Sequence, residues 1–204
     1  NINSMDCNYA SENGVKALKS MIKLAQSPAF VNGSSASNAT NLGAIVDGTW
    51  DAAVVKEALG ENYAAAQLPC ITIDGAQKQM YSFSGSKAFA VNPNSANMKA
   101  ATALAAWLGS AEMQDLHFDL RNGEVVPCAA SLLDDEKFSA NPAAVAQNDT
   151  IANTSFLQPT IPEMNTYWGN ANSMGQALVN GEINADNAAA KTDEWNAGLN
   201  NSGL

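Results

Sequence analysis

Two tryptophans in this chain stand in settings that suit a displayed indole. Trp50 ends the run Gly43-Ala44-Ile45-Val46-Asp47-Gly48-Thr49-Trp50, which reads as a short strand, a glycine turn and a helix start. Trp168 follows Pro162-Glu163-Met164-Asn165-Thr166-Tyr167 and precedes Gly169, at the mouth of a helical stretch. A Trp beside a Gly at a helix start is poorly placed to fill a core. It is well placed to face a cleft, where a flat indole suits the apolar face of a sugar ring. The alternative is packing between elements, since large aromatics are mostly buried somewhere.

Polar groups suited to hydroxyls accompany both rings. Asp47 lies beside the Trp50 turn. As an ionised carboxylate it accepts two or more sugar hydroxyls through charge-assisted bonds, or it serves as a turn or cap residue. At Ser84, Gly85 and Lys87 the glycine admits close backbone approach and the other two donate to hydroxyls; the alternative is a plain strand entry. Glu163, Asn165 and Tyr167 precede Trp168 and are placed to face the same cleft, with Tyr167 equally suited to a core. Asn172 stands one helical turn beyond Trp168. Asp47 and Glu163 are the carboxylates that would form a glycosidase pair, which requires a separation of about 5–9.5 Å. No residue is assigned a catalytic role. Trp107 and Trp195 fall within helices and are expected to pack there. His117 is a lone histidine on a helix, read as surface or satisfied core.

The elements that carry these residues are mostly helical. Val15, Leu18, Ile22 and Ala25 share one face of an amphipathic helix over 12–26,. A polar loop covers 32–41, a strand is expected at 43–46, and Thr49 is placed to cap a helix over 50–59 closed by Gly60. Ile71-Thr72-Ile73 followed by Asp74-Gly75 signals a strand and turn, and Lys87–Val91 a second short strand. Helices follow at 96–108 and 110–121, with Val125-Val126-Pro127 a brief extended link. Asn141-Pro142 is a cap with a first-turn proline for a helix over 142–153. A long helix over 163–180 stops at Gly181, and Asn184 caps a last one near 185–198. Helices with few, short strands make this α/β, with too few strands for a complete doubly wound sheet.

Composition narrows the function classes. The chain has 204 residues, 46% of them hydrophobic and 15% charged, which fits a globular protein and not a disordered one,. The formal charge is -10 with dispersed acidic residues, which argues against nucleic acid and anionic membrane surfaces,. No apolar run approaches the roughly 18 residues of a spanning helix. Three cysteines, none in a CxxC pair, and one histidine make a zinc site unexpected,. No metal or other cofactor is expected. The chain opens Asn1-Ile2-Asn3-Ser4 without a basic region or a Met, as expected of a processed or excised chain,. Low Lys with much Asn, Ser, Thr and Ala gives an exported character.

Several strings in this order resemble bacterial extracellular solute-binding proteins of the maltose-binding-protein type, the sugar receptors of ABC importers. They are Ala44–Trp50, Leu68-Pro69, Phe83-Ser84-Gly85 with Ala90-Val91-Asn92, Pro162-Glu163-Met164 with Tyr167-Trp168, and Gly181 with the terminal helix. The resemblance is to the C-terminal half of that family and covers almost the whole chain. It implies a helix-rich α/β fold of periplasmic-binding-protein type II, present as an incomplete portion of a two-lobe protein. By position, 1–73 and 129–204 would form the C-terminal lobe and 79–124 a segment of the N-terminal lobe, with hinge crossings at 74–78 and 125–128. It implies non-catalytic carbohydrate binding in the interlobe cleft by Trp50, Trp168 and the polar residues named above. It also implies a monomer that delivers ligand to an ABC permease. The location would be extracellular, as a cell-surface lipoprotein or periplasmic protein, with membrane association only through an anchor outside this segment. Gly169 stands where maltodextrin binders carry an aromatic, which argues against maltose itself. Cys70 and Cys128 would both fall at lobe crossings, a placement that suits a disulfide with Cys7 free. The competing readings are a surface adhesin, a binder of a non-sugar ligand and, last, a glycoside-processing enzyme.

Overall fold

The structure is a computed structural model that describes residues 7–32 and 35–200. The opening Asn1–Ser4 and positions 33–34 of the polar loop lie outside the described residues. In chain order the helices are α1 (Glu12–Ala25), α2 (Ala52–Leu59), α3 (Met98–Leu108), α4 (Ala111–Leu120), α5 (Glu136–Ser139), α6 (Pro142–Asn153), α7 (Met164–Val179) and α8 (Ala188–Asn200). The strands are β1 (Cys70–Ile73), β2 (Ala76–Gln79), β3 (Ser82–Ser84) and β4 (Ser155–Leu157). The chain divides into two compact units, one from 1–33, 70–80 and 158–204, the other from 34–69 and 81–157.

In the first unit, Ser11 starts α1 by accepting the Gly14 N–H at 3.2 Å, and Glu12 and Lys23 match the helix dipole at opposite ends,. Leu18 and Ile22 lie on one face of α1 and pack against Leu178 of α7, Ile183 and Ala188 of α8. β1 and β2 form an antiparallel hairpin with Ile73 opposite Ala76. Asp74 and Gly75 make its turn with φ of 50° and 79°, the left-handed pair that a two-residue hairpin requires,. The Ser20 hydroxyl donates to the Thr72 carbonyl at 3.0 Å and ties this hairpin to α1. Gly181, at φ 77°, ends α7, and the Ile183 N–H returns to the Ala177 carbonyl,.

The second unit holds two apolar clusters. Ala36 and Ala39, on a 3-10 turn over Ala36–Asn41, pack with Val55 of α2 and with Ile45, Leu59 and Tyr63. Phe118 of α4 meets Phe138 of α5 edge to face at 4.5 Å, with Ala144 of α6 in the same cluster,. Lys137 covers this pair at 5.9 and 5.3 Å from the ring centroids and binds Asp115 and Asp119,. The two carboxylates beside it raise the ammonium's pKa above its ordinary value. Asn141 caps α6 by accepting the N–H groups of Ala143 and Ala144 at 2.9 and 3.2 Å. β3 and β4 pair in parallel, Ser82 with Ser155 through Ser84 with Leu157.

Several sequence expectations are corrected. Residues 43–46 form no strand: Ile45 turns onto the Val55 cluster and Val46 is exposed, with no neighbouring strand to pair them. Lys87–Val91 is also irregular, and the pairing strand is Ser82–Ser84 instead. A 3-10 turn over Thr49–Asp51 precedes α2, and Thr49 makes no cap. The last helix begins later than expected because Asn184 and Asn187 cap each other's backbone first. Trp107 is 52% exposed, since α3 has no buried residue among those described. Cys70 and Cys128 are exposed free thiols, as Cys7 is free, so the expected disulfide is not formed. Cys70 instead faces its cross-strand neighbour Gln79, whose side-chain oxygen is 3.5 Å from the sulfur.

Phe138→Ala should destabilise the fold by about 3–5 kcal/mol, because it empties a site only 2% exposed,. Asn141→Ala should cost about 1 kcal/mol through the lost cap. Urea unfolding followed by far-ultraviolet circular dichroism measures both.

Candidate ligand-binding site

In the second unit, the turn at 47–51 displays Trp50. Asp47 opens the turn, its Oδ1 accepting the Gly48 N–H at 2.8 Å. The Asp51 N–H then donates to the Gly48 carbonyl at 3.2 Å, closing the 3-10 turn. This turn packs against α6 within the unit. The Trp50 side chain folds back over Gly48, and the residue stays 67% exposed. A ring so placed keeps a broad apolar face available for stacking.

Carboxyl groups gather around that ring. Partial burial raises the Asp51 pKa above its ordinary value, and the neighbouring Asp47 charge and a hydrogen bond with Asp47 raise it further,. A hydrogen bond with the Trp50 side chain acts in the opposite direction, and the Glu124 charge adds the smallest upward push. The result is a set of acceptors at the edge of an open indole. Asp51 escaped the sequence reading. Its four-residue spacing from Asp47, next to Trp50, was the available signal.

Ser84 ends β3 half-buried, and Gly85 and Lys87 follow it exposed. Phe83 beside them meets Phe156 edge to face at 5.4 Å, which anchors the strand from which they emerge.

In the first unit, α7 carries the other candidates. Asn165, Trp168 and Asn172 are exposed and recur at three- and four-residue spacing, so they share one helical face,. Trp168 is 44% exposed and meets Tyr167 edge to face at 5.1 Å. Tyr167 turns inward, stacked near Tyr9 at 6.4 Å and beside Trp195 at 6.3 Å. Tyr9 and Trp195 are themselves 4.1 Å apart, so Trp195 packs as expected. Burial, with a hydrogen bond to Tyr167 as the next cause, pushes the Tyr9 phenol well above its ordinary range. Tyr9 is a second residue the sequence reading missed, lying far from α7 along the chain. Glu163, one turn before Tyr167, has a buried Oε2 with no partner among the described residues, as has the Trp195 indole nitrogen,. A Cβ at Gly169 would meet nothing within 4 Å, so the ground beside Trp168 is open.

These groups can stack on rings and exchange hydrogen bonds with hydroxyls. Among the described residues no cluster of His, Cys, Asp and Glu suits a metal ion. No helix among them is long and apolar enough to cross a membrane.

Comparison with known proteins agrees with this chemistry. The family described as bacterial extracellular solute-binding protein matches residues 3–147. A solved structure described only as "with acarbose" is 36% identical with a TM-score of 0.89, and the match covers 98% of this chain and 54% of that one. The maltodextrin binding protein MalE1 from L. casei BL23, solved without ligand, is 27% identical with a TM-score of 0.80, covering 94% of this chain and 52% of its own. The chain therefore spans about half the length of these solved structures. No curated protein matches it. The fold is the helix-rich α/β arrangement of about half a periplasmic binding protein. With its family match over most of its length, the chain belongs to the bacterial extracellular solute-binding proteins, a family that binds solutes without catalysis.

Proposed function

We propose that this protein binds an oligosaccharide in the interlobe cleft of a two-lobe receptor and delivers it to an ABC transporter permease. The observation that carries the proposal is the exposure of two indoles, Trp50 and Trp168, each beside carboxyl or amide groups, in a chain of the solute-binding family. The similarity to a structure with acarbose and to a maltodextrin binding protein supports a carbohydrate of several sugar units. In this reading Trp50 and Trp168 stack on sugar rings. Asp47, Glu163, Asn165 and Asn172 exchange hydrogen bonds with hydroxyls, and Ser84, Gly85 and Lys87 approach from the crossing segment. Tyr167 braces Trp168 from behind. The open ground at Gly169 favours a ligand other than maltose.

The lobe assignment belongs to the same proposal. By family position, residues 1–73 and 129–204 make the C-terminal lobe and 79–124 part of the N-terminal one, with crossings at 74–78 and 125–128, a division that differs from the two compact units, which keep Phe118 with Phe138 and Ala144. Support comes from α3, whose Leu104 and Trp107 are 53% and 52% exposed, as befits a helix that meets further chain of the two-lobe fold. The protein acts outside the cell as a monomer, either lipid-anchored at the surface or periplasmic.

In the complete two-lobe protein, Trp168→Ala should weaken oligosaccharide binding at least about tenfold, equivalent to about 1.4 kcal/mol, with the fold retained. Titration calorimetry with acarbose and a maltodextrin series measures this, and an unchanged dissociation constant removes Trp168 from the site. Residues 1–204 alone should bind the same sugars weakly or not at all. Tight binding by them would overturn the two-lobe reading.

A further inference from the structure

Gly48 is a glycine whose backbone does not call for one. Its φ of -97° and ψ of 169° are ordinary extended values that any L-residue adopts,. What excludes a side chain is the ring. A Cβ built at Gly48 would lie 2.2 Å from two indole carbons of Trp50 and 2.4 Å from a third, and these are its three nearest heavy atoms. The benzo edge of the indole therefore rests on the Gly48 backbone, in the space a side chain would take. An exposed Trp without such a seat would sample several rotamers and lose entropy when a ligand fixed one of them.

We propose that Gly48 is a positioning residue for the Trp50 indole: its bare Cα is the seat that orders the ring's outer face for stacking on a sugar. The ligand role rests on the carbohydrate reading above, whereas the seat itself is a property of the turn. Pre-ordering lowers the entropy lost on binding, so the seat acts on affinity and leaves the fold untouched. Gly48→Ala keeps the backbone angles and restricts the unfolded chain, so the variant should fold with equal or slightly greater stability. The ring, which is the end of an exposed side chain, must then swing away.

The test combines a ligand-free signal with a binding cycle in the complete protein. The indole N–H cross-peak of Trp50, assigned by its disappearance in Trp50→Phe, should move in Gly48→Ala. An unmoved cross-peak overturns the seat whether or not any sugar binds. Calorimetry with acarbose and maltotriose then compares Gly48→Ala, Trp50→Ala and the double variant. Gly48→Ala should weaken binding roughly fivefold, the scale of one aromatic contact. It should have almost no further effect in the Trp50→Ala background, the coupling expected of two residues acting through one ring. Weakened binding in Trp50→Ala with full affinity in Gly48→Ala overturns this inference alone. Unchanged affinity in Trp50→Ala overturns the carbohydrate role of Trp50 on which the ligand part rests.

Discussion

Holding a large apolar ring in water is the physical constraint around which both candidate faces are arranged. Burial of apolar surface contributes roughly 25 cal/mol per Å², so an exposed indole forgoes much of the stabilisation that its type offers. It is kept outside by what lies beneath it. Trp50 rests on a bare Cα. Trp168 leans on Tyr167, which is backed by Tyr9 and Trp195. One support is backbone and the other is a packed aromatic group, yet each leaves the ring exposed.

The frame that carries these rings is modest. Its buried hydrophobic set includes Ala36, Ala39, Ala143, Ala144, Ala146 and Ala188 beside a few large residues. Alanine lets helices and turns approach closely, and it leaves the larger share of burial to Ile22, Leu18, Phe118 and Phe138. Short strands do little of the work: two isolated pairs, one antiparallel and one parallel, make up the sheet structure among the described residues. Helix caps such as Ser11, Ser110 and Asn141 therefore matter to where each element begins.

Local chemistry made the helices readable. Asn141 followed by Pro142 marks the start of α6, and the three- and four-residue spacing of Val15, Leu18, Ile22 and Ala25 marks the inward face of α1. Asp74-Gly75 announces the hairpin because a left-handed pair of residues has few sequence solutions,. Each of these signals lies within one turn of the backbone it controls. The family resemblance likewise came from short strings, and it was sound because their order along the chain is itself a property of the sequence.

Strands and side-chain neighbours had no such local source. A strand exists only when another lies beside it, so Gly43–Val46 remained irregular while Ser82–Ser84 found its partner at Ser155–Leu157. Tyr9 joined Tyr167 and Trp195 across nearly the full length of the chain. The thiols of Cys70 and Cys128 are free, and a bond between residues distant in the chain has no signal in the neighbours of either one,. The sequence by itself determined the helices, the turn chemistry, the acidic surface and the kinship. Only the tertiary structure decided which apolar residues were covered, which strands paired, and that the missing side chain of Gly48 belongs to the ring of Trp50. Propensity acts through neighbours along the chain, whereas burial and pairing act through neighbours in space.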